Sequence, residues 1–346
     1  MHAHGSDTLR VLALIAAVAA GIDGAGAQAD DPNLAPNPYH MLTTWTPKLP
    51  PGRTLGQPIG VEIDHSDGKS LWVFERCGSK SGPNDPPPCA GSKLAPIWKF
   101  DSSGAAKANF GAGTVNWPHG FYVDSSGNVW VTDIYAGGGI GQTVIEFAPD
   151  GKVLMTLGKP GVTGADPGMF NQPSDVVVSK NGDIYVADGH GHSTNDRIVK
   201  FDKDGKFITT WAKHGSEPGE LDTPHSIGLD SIGRVFVADR VNNRIEIFDP
   251  SGRLLALWKQ FGRPSSVYID KSDTLYVGDS QSTAKTNPGF RQGIRIGSAK
   301  DGKVTAFIPL IDPALGAPEE VAADDDGNVY AGFTDEEPAV KKFVKN

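Results

Sequence analysis

The sequence predicts an all-β protein, a six-bladed β-propeller closed by its own N-terminus, and three observations carry that prediction. First, one segment recurs six times: a Pro, a short apolar run, an Asp or its equivalent, a Gly turn, an apolar strand ending in Asp, a polar loop, a third strand, Asp-x-x-Gly and a last strand. The opening prolines stand at positions 58, 118, 173, 224, 264 and 318. Second, each copy holds four runs of β-branched and aromatic residues joined by Gly-containing turns. No apolar period of full helical length occurs, so each copy reads as a four-stranded antiparallel unit. Third, the two ends complement each other. Residues 40–45 read as an orphan fourth strand resembling 207–211, whereas the last copy stops after its third strand at 340–343. A strand at about 39–46 is therefore expected to complete the C-terminal blade and leave no open edge.

Taken in order, the first 29 residues differ from the rest. Arg10 precedes an apolar run at 11–20, followed by Ala25-Gly26-Ala27 and Ala27-Gln28-Ala29. This is the pattern of a signal peptide, so residues 30–346 are expected to form a single exported domain, periplasmic or secreted. The apolar run is far short of the roughly 20 residues of a spanning helix, and no other stretch qualifies. Cys77 and Cys89 bracket a Pro-rich loop. An oxidising compartment favours a disulfide between them, and two thiols alone close no structural zinc site. The Asp-x-x-Gly turns, Asp324-Asp325-Asp326-Gly327 among them, are hairpin chemistry and lack EF-hand spacing. Gly137-Gly138-Gly139-Ile140-Gly141 has no strand-to-helix context for a dinucleotide. A net charge of −9 without a basic stripe excludes nucleic acid as a partner.

The chemistry lies in two columns of the repeat. The residue after each opening proline is Ile59, His119, Ser174, His225, Ser265 and Glu319. If this position opens the innermost strand, blades two, four and six aim His, His and Glu at the axis, 120° apart. Three protein ligands with open positions is the pattern of a catalytic zinc site. The next position holds Glu320, whose carboxylate could hold a second, harder cation together with backbone carbonyls. A second ring, just past the second strand of each blade, holds Arg76, Ile134, His190, Arg240, Ser280 and Asp335. Two guanidinium groups beside a metal suit an anionic, carboxylate-bearing substrate. Arg197 and Arg244 recur before the third strand and read as salt bridges within blades. His190 and His192 are candidate proton-transfer groups or extra metal ligands.

The stretch Trp117-Pro118-His119-Gly120-Phe121-Tyr122-Val123-Asp124 with Trp130-Val131-Thr132-Asp133 resembles the peptidyl-α-hydroxyglycine α-amidating lyases, six-bladed propellers of NHL-type repeats. So do Gln172-Pro173-Ser174-Asp175, Arg197-Ile198-Val199, Thr223-Pro224-His225-Ser226 and Ala238-Asp239-Arg240. The resemblance covers about residues 40–346 and is strongest in blades two to four. It implies zinc held by His119, His225 and, where the family has a third histidine, Glu319. It implies calcium held by Glu320 and the backbone carbonyls of Val61 and Phe121. Arg76 and Arg240 match the family's active-site arginines, and His190 stands where the family has its catalytic tyrosine. The implied reaction is that of a carbon–nitrogen lyase, which cleaves a peptidyl or other N-substituted α-hydroxyglycine to an amide and glyoxylate. Two other functions fit such a propeller: a lactonase-type metal-dependent hydrolase, and a non-catalytic scaffold that binds a ligand or partner protein at one face.

Overall fold

The structure is a computed structural model and describes residues 31–80, 85–310, 316–334 and 339–346. The signal-peptide expectation and Asp335 lie outside those residues. Among the described residues every regular element is a strand, gathered in six four-stranded antiparallel sheets. None is a helix long and apolar enough to cross a membrane. The first strands of the sheets, Pro58–Ile63, Pro118–Val123, Pro173–Val178, Pro224–Leu229, Pro264–Ile269 and Pro318–Ala323, touch one another in sequence. The last also touches the first, so the ring is closed. The molecule is a six-bladed β-propeller.

The alternation of strand side chains explains how the blades stack. Val176 packs towards blade two and its neighbour Val177 towards blade four. The buried apolar residues fall into six clusters, one at each junction between neighbouring blades. Burial declines outwards: the second strand Val235–Asp239 is buried throughout, whereas the outermost strand Phe207–Trp211 alternates with solvent.

Closure works as the repeat suggests, with a shorter strand. Tyr39–Met41 pairs with the last strand, Ala339–Lys345, through Tyr39↔Lys345, His40↔Val344 and Met41↔Phe343. Trp45, expected in that strand, has left it. Its ring packs edge-on against Tyr330 at 5.2 Å and its indole N–H donates to the Ser102 carbonyl.

Strand-end acids tie each blade to the loop that enters it. Glu75 accepts from Gly56 N, Asp133 from Asn116 N and Trp117 N, and Asp188 from Asn171 N. Asp239 accepts from Asp222 N, and Asp279 from Arg263 N. Arg197 and Arg244 pair with Asp188 and Asp239 inside their blades. Blade six breaks the pattern, because Phe333 occupies the register position opposite Pro318. The Asp324 turn is a hairpin whose carboxylate accepts from Asp326 N and Asn328 N. Cys77 and Cys89 form a disulfide, consistent with export.

Candidate metal centre

Every innermost strand opens on a β-bulge immediately after its proline. In blades one, three, five and six the ladder skips one residue, but in blades two and four it skips two, His119-Gly120 and His225-Ser226. A bulge re-aims side chains. Here it turns both imidazoles to the axis. Gly120 is required at this point, since a Cβ there would collide with Ser174 and Asp175 of the next blade.

The alternating column then acquires a reason. His119 Nδ1 lies 2.7 Å from the carbonyl of Ser174, and His225 Nδ1 lies 2.6 Å from that of Ser265. A carbonyl only accepts, so each Nδ1 carries the proton and each Nε2 presents a lone pair to the channel. This is the arrangement that orients imidazole ligands in metal sites. The His225 Nε2 is buried and has no hydrogen-bond donor.

His190 joins them from the second ring. Gly189 sits at φ +154°, and a side chain there would strike Asp196. Asp196 is buried and accepts from Thr223 N, from Thr194 and from His214, which clamps the loop. The ring centroid of His190 lies 4.1 Å from that of His119 and 5.0 Å from that of His225. The ligand atoms of His119, His190 and His225 all lie within 4.8 Å of one another. Burial, reinforced by Arg76 and Arg240, pulls His119 down to about 3. Burial and the same cationic surroundings hold His190 and His225 well below the ordinary histidine value. All three are therefore neutral, the form that binds metals. The donor set and its orientation fit a divalent transition metal.

The expected third ligand, Glu319, is beside this cluster and outside its mutual 4.8 Å reach. Its Oε1 is 3.3 Å from His225 Nε2 and 3.4 Å from Arg240, and its Oε2 accepts from Ser280 at 2.6 Å. His192 is exposed and takes no place in the cluster.

The two rings adjoin because, in blades one to four, the residue after the second strand bonds to the one before the proline. Arg76 N donates to Gln57 O, Ile134 N to Trp117 O, Gly189 N to Gln172 O and Arg240 N to Thr223 O. Arg76 lies over the Trp117 ring at 5.7 Å, and Gln57 accepts its Nη1 at 2.8 Å. Burial pulls Arg76 and Arg240 down to about 10, and both remain cations. The Nε atoms of Arg76 and Arg240 and the indole nitrogen of Trp117 are buried without a protein partner. Buried donors are satisfied in native proteins, so these point to an anionic ligand. Trp117 and Gln57 are absent from both columns above. The column that holds them, Gln57, Trp117, Gln172, Thr223, Arg263 and Ala317, directly precedes the prolines.

On the innermost strands, next to this layer, Glu320 is half-buried with its carboxyl pushed well up, by desolvation and by Asp175, Glu319 and Glu62. Val61 and Phe121 lie on the first strands of blades one and two, paired with Val73 and Val131. Asp175, pushed up to about 7 by burial, spends its oxygens on Val176 N and Ile227 N.

The NHL repeat family model matches residues 170–201. Human NHL repeat-containing protein 3 is 38% identical over 151 residues, covering 42% of this chain and 43% of the relative. The Caenorhabditis elegans protein described as probable peptidyl-alpha-hydroxyglycine alpha-amidating lyase pgal-1 is 41% identical over 142 residues, covering 40% and 39%. The matched stretch spans about two fifths of each. A gluconolactonase from Xanthomonas campestris shares the fold at a TM-score of 0.58 and 12% identity, covering 85% of this chain and 87% of that one. The protein is thus an NHL-repeat six-bladed propeller with imidazoles gathered on its axis. Over the matched stretch it is similar to proteins described as peptidyl-alpha-hydroxyglycine alpha-amidating lyases.

Proposed function

We propose that the protein is an exported, metal-dependent lyase that cleaves an N-substituted α-hydroxyglycine to an amide and glyoxylate. The observation that carries this reading is the meeting of neutral imidazoles, the His225 Nε2 among them without a donor, with two arginines whose buried Nε atoms lack partners. His119 and His225 would hold the metal, which zinc suits, and it would supply positive charge to polarise the substrate hydroxyl. Arg76 and Arg240 would receive the substrate carboxylate, with Trp117 bracing Arg76. The reaction moves one proton: the O–H proton leaves as the C=O bond forms, the C–N bond breaks, and the amide nitrogen takes the electron pair and a proton. No outside oxidant or reductant is needed.

A second, hard cation, calcium, is proposed at Glu320 with the carbonyls of Val61 and Phe121. It would relieve the crowding of Glu320 by Glu62 and Asp175. The substrate, a small carboxylate or a C-terminally hydroxylated peptide, would enter through the arginine-lined mouth.

Elemental analysis of the purified protein, beside His119→Ala and His225→Ala, tests the reading together with glyoxylate release from α-hydroxyhippurate. About one zinc per chain, lost in both variants along with glyoxylate release, is expected. A wild type that takes up no transition metal, even when offered zinc, ends the lyase reading. A non-catalytic propeller is the second reading, since the match to human NHL repeat-containing protein 3 is to the repeat and names no reaction. Under it, binding of a partner protein at one face would survive both histidine substitutions.

A further inference from the structure

We propose that two residues have exchanged roles: His190, rather than Glu319, completes the ligand set, and Glu319 is the proton acceptor of the site. The second half rests on the lyase reading above; the first does not.

The ligand atoms of His119, His190 and His225 are within mutual reach, and Glu319 is not among them. Its carboxylate is held on other partners. Ser280 donates to Oε2, while Oε1 faces Arg240 and His225 Nε2. Ser280 Oγ, having given its proton to Glu319, accepts in turn from Ser265 Oγ, and Gln292 anchors the Ser280 carbonyl. Ser265 also supplies the carbonyl that orients His225. One residue therefore fixes a ligand imidazole and, through Ser280, the adjacent carboxylate.

Charge supports the exchange. Three neutral imidazoles would leave the full charge of a divalent ion at the centre, as in catalytic zinc sites held by three histidines. Glu319 then offsets Arg240 without reducing that charge through a bond to the metal. In the reaction Glu319 takes the hydroxyl proton as the carbonyl forms and returns it to the departing amide nitrogen. Ser280 is a positioning residue that aims the carboxylate.

Cobalt(II) titration of the metal-stripped full chain, followed by its visible spectrum, separates ligand from base. His190→Ala is expected to weaken cobalt binding as much as His119→Ala, at least ~100-fold, and His190→Gln likewise. Glu319→Gln is expected to keep cobalt affinity within about 3-fold of wild type, with its spectrum unchanged, yet lose ~100-fold or more in glyoxylate release. Ser280→Ala should lower kcat with little change in KM or cobalt affinity, and Ser280→Thr should restore it. Near-ultraviolet circular dichroism identifies any variant that has lost its fold. If Glu319→Gln loses cobalt as His119→Ala does, or both folded His190 variants retain it, the exchange is wrong. A wild type that binds cobalt in the expected pattern but releases no glyoxylate overturns the lyase reading and the proton-acceptor role and leaves the ligand assignment standing. A wild type that binds no cobalt overturns both.

Discussion

At the scale of single residues, Arg76 and Arg240 each bring a guanidinium with an unpartnered Nε to the site. Arg76 is fixed by Gln57 and braced on Trp117, and its Nε remains free. Arg76→Lys would keep the charge and lose the planar fork, so kcat/KM should fall ~10- to 100-fold, chiefly through KM. Steady-state kinetics would show it, and an unchanged KM would remove Arg76 from the substrate site. Two of the three imidazoles were legible in the sequence, because the proline marks their register in every copy. Their orienting carbonyls were not legible, since a backbone oxygen leaves no trace in residue type; only the small Ser174 and Ser265 hinted at them. His190 was placed in the right ring, but its membership of the cluster depends on the backbone at Gly189 and the clamp at Asp196. Neither is encoded in spacing.

At the scale of elements, the end of each second strand decides whether a blade meets its incoming loop correctly. Asp279 and Arg295 are both fully buried and paired at 3.0 Å. Asp279→Ala would leave Arg295 without its carboxylate and should cost about 3–5 kcal/mol, read as a shift in urea midpoint. Asp133 has no cation beside it, and burial pushes it up to about 6 against backbone hydrogen bonds that lower it. The native state therefore holds that proton more tightly than the unfolded chain does. Its contribution to stability is greatest below about pH 4 and falls as the pH rises to about 6. In Asp133→Asn this part of the pH dependence should vanish, so the urea midpoint of wild type should fall relative to that of the variant from pH 4 to pH 7. The repeat showed these acids in five blades but not their work. It also failed to show that Phe333 replaces the acid in blade six, where the pattern is weakest and register must be read from the ladder itself.

At the scale of the whole molecule, six blades and their closure were legible because a repeat cannot bury both faces of its sheet alone. The length of the closing strand was not, since Trp45 is as well buried against Tyr330 as it would be in a strand. Removing residues 31–46 would uncover the edge of Ala339–Lys345 and the pockets of Tyr39 and Trp45. A loss of about 3–6 kcal/mol is expected, with concentration-dependent self-association through the bare edge. Calorimetry and size-exclusion chromatography would report both. A truncated chain as stable and monomeric as the whole would mean that the junction between blades six and one needs no such latch.

The latch also sets an order of assembly. It joins residues 39–41 to residues 343–345, so the ring cannot shut until Ala339–Lys345 is free to pair. The three imidazoles are supplied by residue 225, from blades two, three and four, and His225 is oriented once Ser265 of blade five is in place. Glu319 arrives with the final blade. The carboxylate beside the centre therefore comes from the blade that closes the ring, and the neutral donors come from blades before it.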